Sequence, residues 1–202
     1  MNAVTRALER TDLRREEILD ASELVFARKG YHATGIADIA EELGIGHGTF
    51  YRYFKNKHDI AVHVFDRITL RFAKIGLADD PESTNTLDDY RAQVRQILSR
   101  WLALGNTEPH VLRFFHEHAA TIDMDRWTFM IEQYVVYTMR FLKNGVGKGF
   151  LRAELDNRAT AEMLVALMFE GTKRALTAPD ADARQRWCEA GMAMMFDGIS
   201  GR

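Results

Sequence analysis

The sequence predicts an all-α protein, and three observations carry that assignment. Apolar residues recur at i, i+3, i+4 and i+7 through most of the chain. The three prolines, Pro81, Pro109 and Pro179, fall outside the long periodic segments, where a helical protein tolerates them. No alternating strand pattern bounded by Asn-Gly or Asp-Gly turns occurs, and no repeat of fixed period. With 202 residues and 47% hydrophobic content, the chain can bury a substantial core.

The first helix is expected from about Asp12 to Lys29, because Ile18, Ala21, Val25 and Phe26 form one stripe while Arg14, Arg15, Glu16 and Glu17 take the wet face. Gly30 ends it. Thr34 is expected to cap a short second helix in which Ile36, Ile39, Ala40 and Leu43 share a face, and Gly44 supplies its left-handed stop. After the turn Gly44-Ile45-Gly46, a third helix is expected over His47 to Phe54, with Phe50 and Phe54 buried one turn apart. Asn56 caps a fourth, from Lys57 to about Leu77, with Ile60, Val64, Phe65, Ile68 and Phe72 on one side. The polar stretch ADDPESTNT is a loop. Helices follow at about Leu87 to Leu104, Glu108 to Ala120, Asp123 to Asn144, Asn157 to Thr177 and Ala181 to Asp197. The glycine-rich GVGKGFLRAELD and a break around Ala178-Pro179-Asp180 separate the last three.

Several function classes are disfavoured at this point. No apolar run approaches the roughly 18 residues of a membrane span, and Met1 to Arg10 lacks the features of a secretory signal, so a cytoplasmic location is expected. Cys188, set among Trp187, Ala190 and Met192, reads as a small packed hydrophobe. His116 and His118 point roughly 200° apart on a helix and cannot share an ion, and His110 lies two turns from His118. There is no Glu-x-x-His repeat, no His-Glu-x-x-His, and no serine or cysteine nucleophile with an evident base. No catalytic, metal or cofactor site is expected. An all-α metal-binding or enzymatic bundle, and a non-enzymatic adaptor, are the alternative classes.

The segment GIGHGTFYRYFKNKH points elsewhere. The formal net charge is −2, and residues 1 to 57 hold nine bases and nine acids, yet no acid lies between Gly44 and His58. Two short helices joined by a glycine turn, with a longer helix in front, are the parts of a helix-turn-helix unit. Thr49 and Tyr51 can hydrogen-bond phosphate or touch a thymine methyl. Arg52 can reach a guanine edge or a phosphate, and Lys55 and Lys57 supply point charges for the flanking backbone.

The run TGIADIAEELGIGHGTFYRYFKNKHDI resembles the N-terminal signature of tetracycline-repressor (TetR) family regulators, over about residues 12 to 65. The resemblance implies DNA-facing positions at Gly48, Thr49, Tyr51, Arg52, Tyr53 and Lys57, with Thr34 at a phosphate. Three positions depart from the family pattern: Gly46 where a Ser or Thr cap is usual, His47 where a Lys, Arg or polar residue is frequent, and Ala37 at an often basic site. A cap bond is lost, the His47 contact becomes pH-dependent, and base reading rests on the third helix.

The resemblance further implies a DNA-binding domain over residues 1–56 and a ligand-binding and dimerisation domain over 57–202. In the 123–144 helix the apolar residues cover more than one stripe, so Trp127, Met130, Tyr134 and Tyr137, with Trp101 and Phe114, are the candidate lining of an apolar cavity. Met163, Leu167, Trp187, Gly191 and Met194 are the candidate dimer interface, with Ala190 and Gly191 permitting close approach. The expected protein is a homodimeric repressor that binds a palindromic double-stranded DNA operator and is released by a small apolar organic effector.

Overall fold

Helix α1 spans Ala3–Lys29 and so begins well before Asp12. The preceding AVTRALERT contains no Gly or Pro and is rich in strong helix formers, so propensity extends the helix beyond the part that burial anchors. That anchored part presents Ile18, Leu19, Val25 and Phe26 to the core. The computed structural model describes residues 3–177 and 180–198.

Helix α2 covers Ile36–Glu42 and α3 covers His47–Phe50. The expected Thr34 cap is not the one used. Gly35 is the N-cap of α2, and Asp38 reaches back from the first turn so that the Gly35 N–H donates to its carboxylate at 2.7 Å. The Thr34 hydroxyl instead donates to the Gly30 carbonyl at 2.7 Å, satisfying the frayed end of α1. Gly44 follows α2 with φ +63°, the left-handed conformation that glycine adopts without steric cost. Gly46 caps α3 without a side-chain bond, as its lack of a side chain requires.

Helix α3 is shorter than the expected His47 to Phe54. After Phe50 the chain tightens: the Arg52 and Tyr53 N–H groups donate three residues back, to Thr49 and Phe50, at 3.3 and 2.9 Å. Helix α4, Lys57–Gly76, is capped by Asn56, whose side-chain oxygen accepts from the Asp59 N–H at 2.8 Å.

Five further helices follow among the described residues: α5 Leu87–Thr107, α6 Pro109–Ile122, α7 Met124–Gly147, α8 Asn157–Thr177 and α9 Ala181–Phe196. Thr86 and Asp180 cap α5 and α9 through their side chains. Ala178 and Pro179, part of the expected break before α9, lie outside the described residues. Helix α7 runs on through Gly145, where glycine is required by packing: a Cβ there would stand 2.7 Å from the Leu151 side chain.

The packing divides into two units. The first holds residues through Leu70 with Arg113–Met124; the second holds Arg71–Leu112 and the residues from Asp125 onward. The expected division after residue 56 is therefore not where packing parts. The first turns of α4 bury Ile60, Ala61, Val64, Phe65 and Ile68, and Phe65 stacks on Phe115 of α6 at 6.2 Å. In the same unit Arg67 bonds Asp20 at 2.7 Å and Glu23 at 2.6 Å, joining α4 to α1. In the second unit α5 packs on α8 and α9.

Candidate nucleic-acid interface and apolar cavity

Charge segregation in the first unit arises from how its acids are used. Glu42 pairs with Arg28 at 2.5 Å, Asp38 with Lys29 at 2.6 Å, and Asp20 and Glu23 with Arg67. The Glu42 carboxylate holds the Arg28 guanidinium above its ordinary pKa, and the Lys29 ammonium, with the Gly35 N–H, holds the Asp38 carboxyl below its own. Acids of α1 and α2 thus answer bases of α1 and α4. The side chains of Arg52 and Lys55 make no such pair and are exposed, beside exposed His47, Gly48 and Tyr51. Thr49 and Tyr53 are half-buried. A face with free cations and a phenol, beside which the Asp59 carboxylate is held by the Lys55 backbone N–H at 2.8 Å, fits a polyanion.

Two expected contacts sit differently. Thr34 is 2% exposed with its hydroxyl held by Gly30, so that hydroxyl is not presented to a phosphate. The Lys57 ammonium donates to the carbonyls of Tyr31 and His32 at 3.0 and 3.2 Å and lies 4.7 Å from the Tyr31 ring centroid. Two of its three protons serve the turn after α1, which leaves one for an outside acceptor. Gly48 is informative in another way. A Cβ built there meets nothing within 4 Å and its φ is not positive, so neither packing nor backbone explains a glycine inside a helix. The missing side chain leaves the backbone there open to the outside.

Histidines 32 and 118 also meet in this unit, with ring centroids 5.9 Å apart. Burial holds the His118 imidazole below its ordinary pKa, so it is disposed to remain neutral. No group of three or more metal-capable side chains forms among the described residues.

The second unit holds a partly open apolar cavity of about 310 Å³. Its walls come from α5, α7, α8 and α9, together with Gly76 at the end of α4. Of the six expected lining residues, Trp101, Tyr134 and Tyr137 are present. Phe114 is not: it belongs to the first unit, where it stacks on Phe26 at 5.7 Å. Trp127 is outside the lining and packs on Phe169 at 5.8 Å, and Met130, 4% exposed, is core rather than wall. The helix carrying these residues is amphipathic over a wide arc, and only part of that arc faces the cavity.

The lining that sequence inspection missed is spread over α5, α7, α8 and α9; on α5, Tyr90, Val94, Ile97, Leu98 and Leu102 join Trp101 in a stripe at helical spacing. That stripe was legible as a helix face but carried no chemistry to distinguish wall from core. Four of the five candidate dimer residues, Leu167, Trp187, Gly191 and Met194, also line the cavity. Met163 does not, and is 67% exposed.

Residues 18–64 match the family model described as bacterial regulatory proteins, tetR family. The HTH-type transcriptional regulator TtgR of Pseudomonas putida is 25% identical over 202 residues, covering 95% of this chain and 96% of its own. The fatty acid metabolism regulator protein of Bacillus subtilis is 24% identical over 155 residues, covering 76% of this chain and 79% of its own. Among solved structures, FadR of Bacillus subtilis in complex with stearoyl-CoA superposes with a TM-score of 0.74 at 21% identity, over 92% of this chain and 99% of that one.

Proposed function

We propose that the chain is a ligand-responsive DNA-binding regulator of the tetR type, the family whose model residues 18–64 match, and that its two sites divide the work. Residues 1–56 serve as the DNA-binding segment and 57–202 serve effector binding and dimerisation. The observation that carries the reading is the pairing, in one chain, of an exposed cationic segment, 45–57, that holds no acid, with an apolar cavity of about 310 Å³.

His47, Gly48, Thr49, Tyr51, Arg52, Tyr53 and Lys55 form the DNA-contacting set, with Lys57 offering its remaining proton to phosphate. A homodimer places two such sets on the half-sites of a palindromic operator, about one helical turn or 34–36 Å apart. The effector occupies the apolar cavity, and because it binds the DNA-free conformation more tightly, it releases the operator. The relative solved with stearoyl-CoA supports an effector that carries a long apolar acyl portion. A cytoplasmic site of action follows from a DNA target, and no helix among the described residues is long and apolar enough to cross a membrane.

The test starts from a duplex selected out of a random library by the purified protein. Binding measured by anisotropy is expected to fall steeply with salt, and an apolar compound that binds the protein is expected to release the duplex. Failure to enrich any duplex sequence would reject the regulator reading.

Gly48→Ala gives a separate expected result. Alanine adds about 1 kcal/mol of helix propensity with no internal clash, so the melting temperature stays or rises while operator affinity falls. Unchanged affinity would remove Gly48 from the interface.

A further inference from the structure

We propose that Trp187 sets the length of acyl chain the cavity accepts, as a partition one side chain thick between the cavity and a second hollow beside it. The proposal rests on the reading of the cavity as the effector site and assigns the residue that limits it.

The second hollow, of about 220 Å³, also lies in the second unit, between α5, the end of α8 and the start of α9. Two residues line both spaces, Leu102 of α5 and Trp187 of α9. A side chain that borders two spaces stands between them, so at these positions the wall has no second layer. Leu102 is 6% exposed and forms a core cluster with Ala175, Cys188 and Met192. Trp187 packs against that cluster and is only half-buried. Of the two, Trp187 is the residue whose loss opens the wall without emptying the core.

The surroundings hold the indole in place. Gly171 of α8 makes room for it, since a Cβ there would collide with the indole nitrogen. The Arg174 guanidinium lies over the ring, 4.9 Å from its centroid, and is itself held by Glu170 at 2.9 Å. A glycine and a paired cation thus fix a broad, flat side chain at the boundary between the two spaces.

The consequence for a ligand is one of length. An acyl chain in the cavity binds more tightly with each methylene it buries. That increase stops where the chain meets the partition or leaves through the open side into water. Removing the indole joins the two spaces and offers the same chain further apolar wall, from Leu102, Ala175 and Ala183.

The experiment titrates saturated acyl-CoA thioesters, from hexanoyl to stearoyl, into wild type, Trp187→Ala and Trp187→Leu by calorimetry. The head group is constant, so differences along the series report the chain alone. Wild type is expected to bind each longer member more tightly, roughly fourfold per methylene, up to one length and to gain nothing beyond it. Trp187→Ala is expected to carry the increase on by about two carbons or more, so that chains past the wild-type limit bind on the order of tenfold more tightly than they do to wild type. The profile along the series is the readout, so a general loosening of the cavity does not imitate the result. Trp187→Leu keeps an apolar side chain against the core, which guards against a misfolded alanine variant, and should move the limit in the same direction. An unmoved limit in both variants would overturn the assignment of Trp187 and leave the cavity reading standing. If no member of the series binds wild type, the cavity reading itself fails, and the proposal with it.

Discussion

Replacing Phe50 by alanine is expected to destabilise the first unit by about 3 to 5 kcal/mol and to abolish operator binding. Phe50 is fully buried and Phe54 nearly so, with ring centroids 5.8 Å apart. Helix α3 is a single turn of four residues, His47–Phe50. So short a segment has no independent stability, since helix nucleation is unfavourable and one turn returns few hydrogen bonds. Its position depends on the side chain it buries, and that side chain is Phe50. Loss of the ring leaves a cavity beside Phe54 and releases the turn that carries Gly48, Thr49 and Tyr51. Thermal melting should show a fall on the order of 10 °C or more. Tyr51→Ala is the companion measurement: Tyr51 is 56% exposed, so its loss should leave melting nearly unchanged while weakening DNA binding. A Phe50→Ala protein that melts like wild type would show that α3 is held by something other than its buried ring.

Elements defined by long apolar stripes were legible in the sequence. The α8 expectation, Asn157 to Thr177, coincides with the helix found, and α9 differs by one residue at its end. Legibility failed where a residue has two physical uses. Thr34 is a good N-cap by type, but its hydroxyl bonds the Gly30 carbonyl and Asp38 supplies the capping carboxylate. Gly145 looks like a helix stop, yet helix α7 continues through it, and the residue is glycine because Leu151 occupies the space a Cβ would need. Lys57 looks like a phosphate ligand, and the fold has already engaged two of its protons.

The site divides in the same way. The exposed cations of the His47–Lys55 segment were readable because exclusion of acids is a property of local sequence. Cavity membership was readable only by half. Phe114 and Tyr134 are both buried aromatics on helices, at 1% and 4% exposure, and nothing in their local spacing says that one meets Phe26 and the other a cavity. That distinction depends on contacts between segments distant in the chain. The partition at Trp187 has no signature in sequence, because the spaces a side chain borders are a tertiary property.

Met163→Glu is expected to yield monomers and to weaken operator binding by on the order of 10² to 10⁴-fold, the scale of losing a linked second site. The choice of residue follows from the cavity. A charge at Leu167, Trp187, Gly191 or Met194 would strike the effector site as well as any interface, so its effect would have two explanations. Met163 lines no cavity, and at 67% exposed its thioether chain has little to pack against within one copy of the chain. A carboxylate at position 163 is harmless to an isolated subunit, since it replaces an exposed apolar group by a solvated one. In an interface it is buried without a counter-charge, which costs several kcal/mol on each side of the two-fold axis. Light scattering should therefore report half the wild-type mass, with unchanged helicity and unchanged affinity for an apolar cavity ligand. A Met163→Glu protein that remains dimeric and holds its operator as tightly as wild type would move the interface off this face of α8.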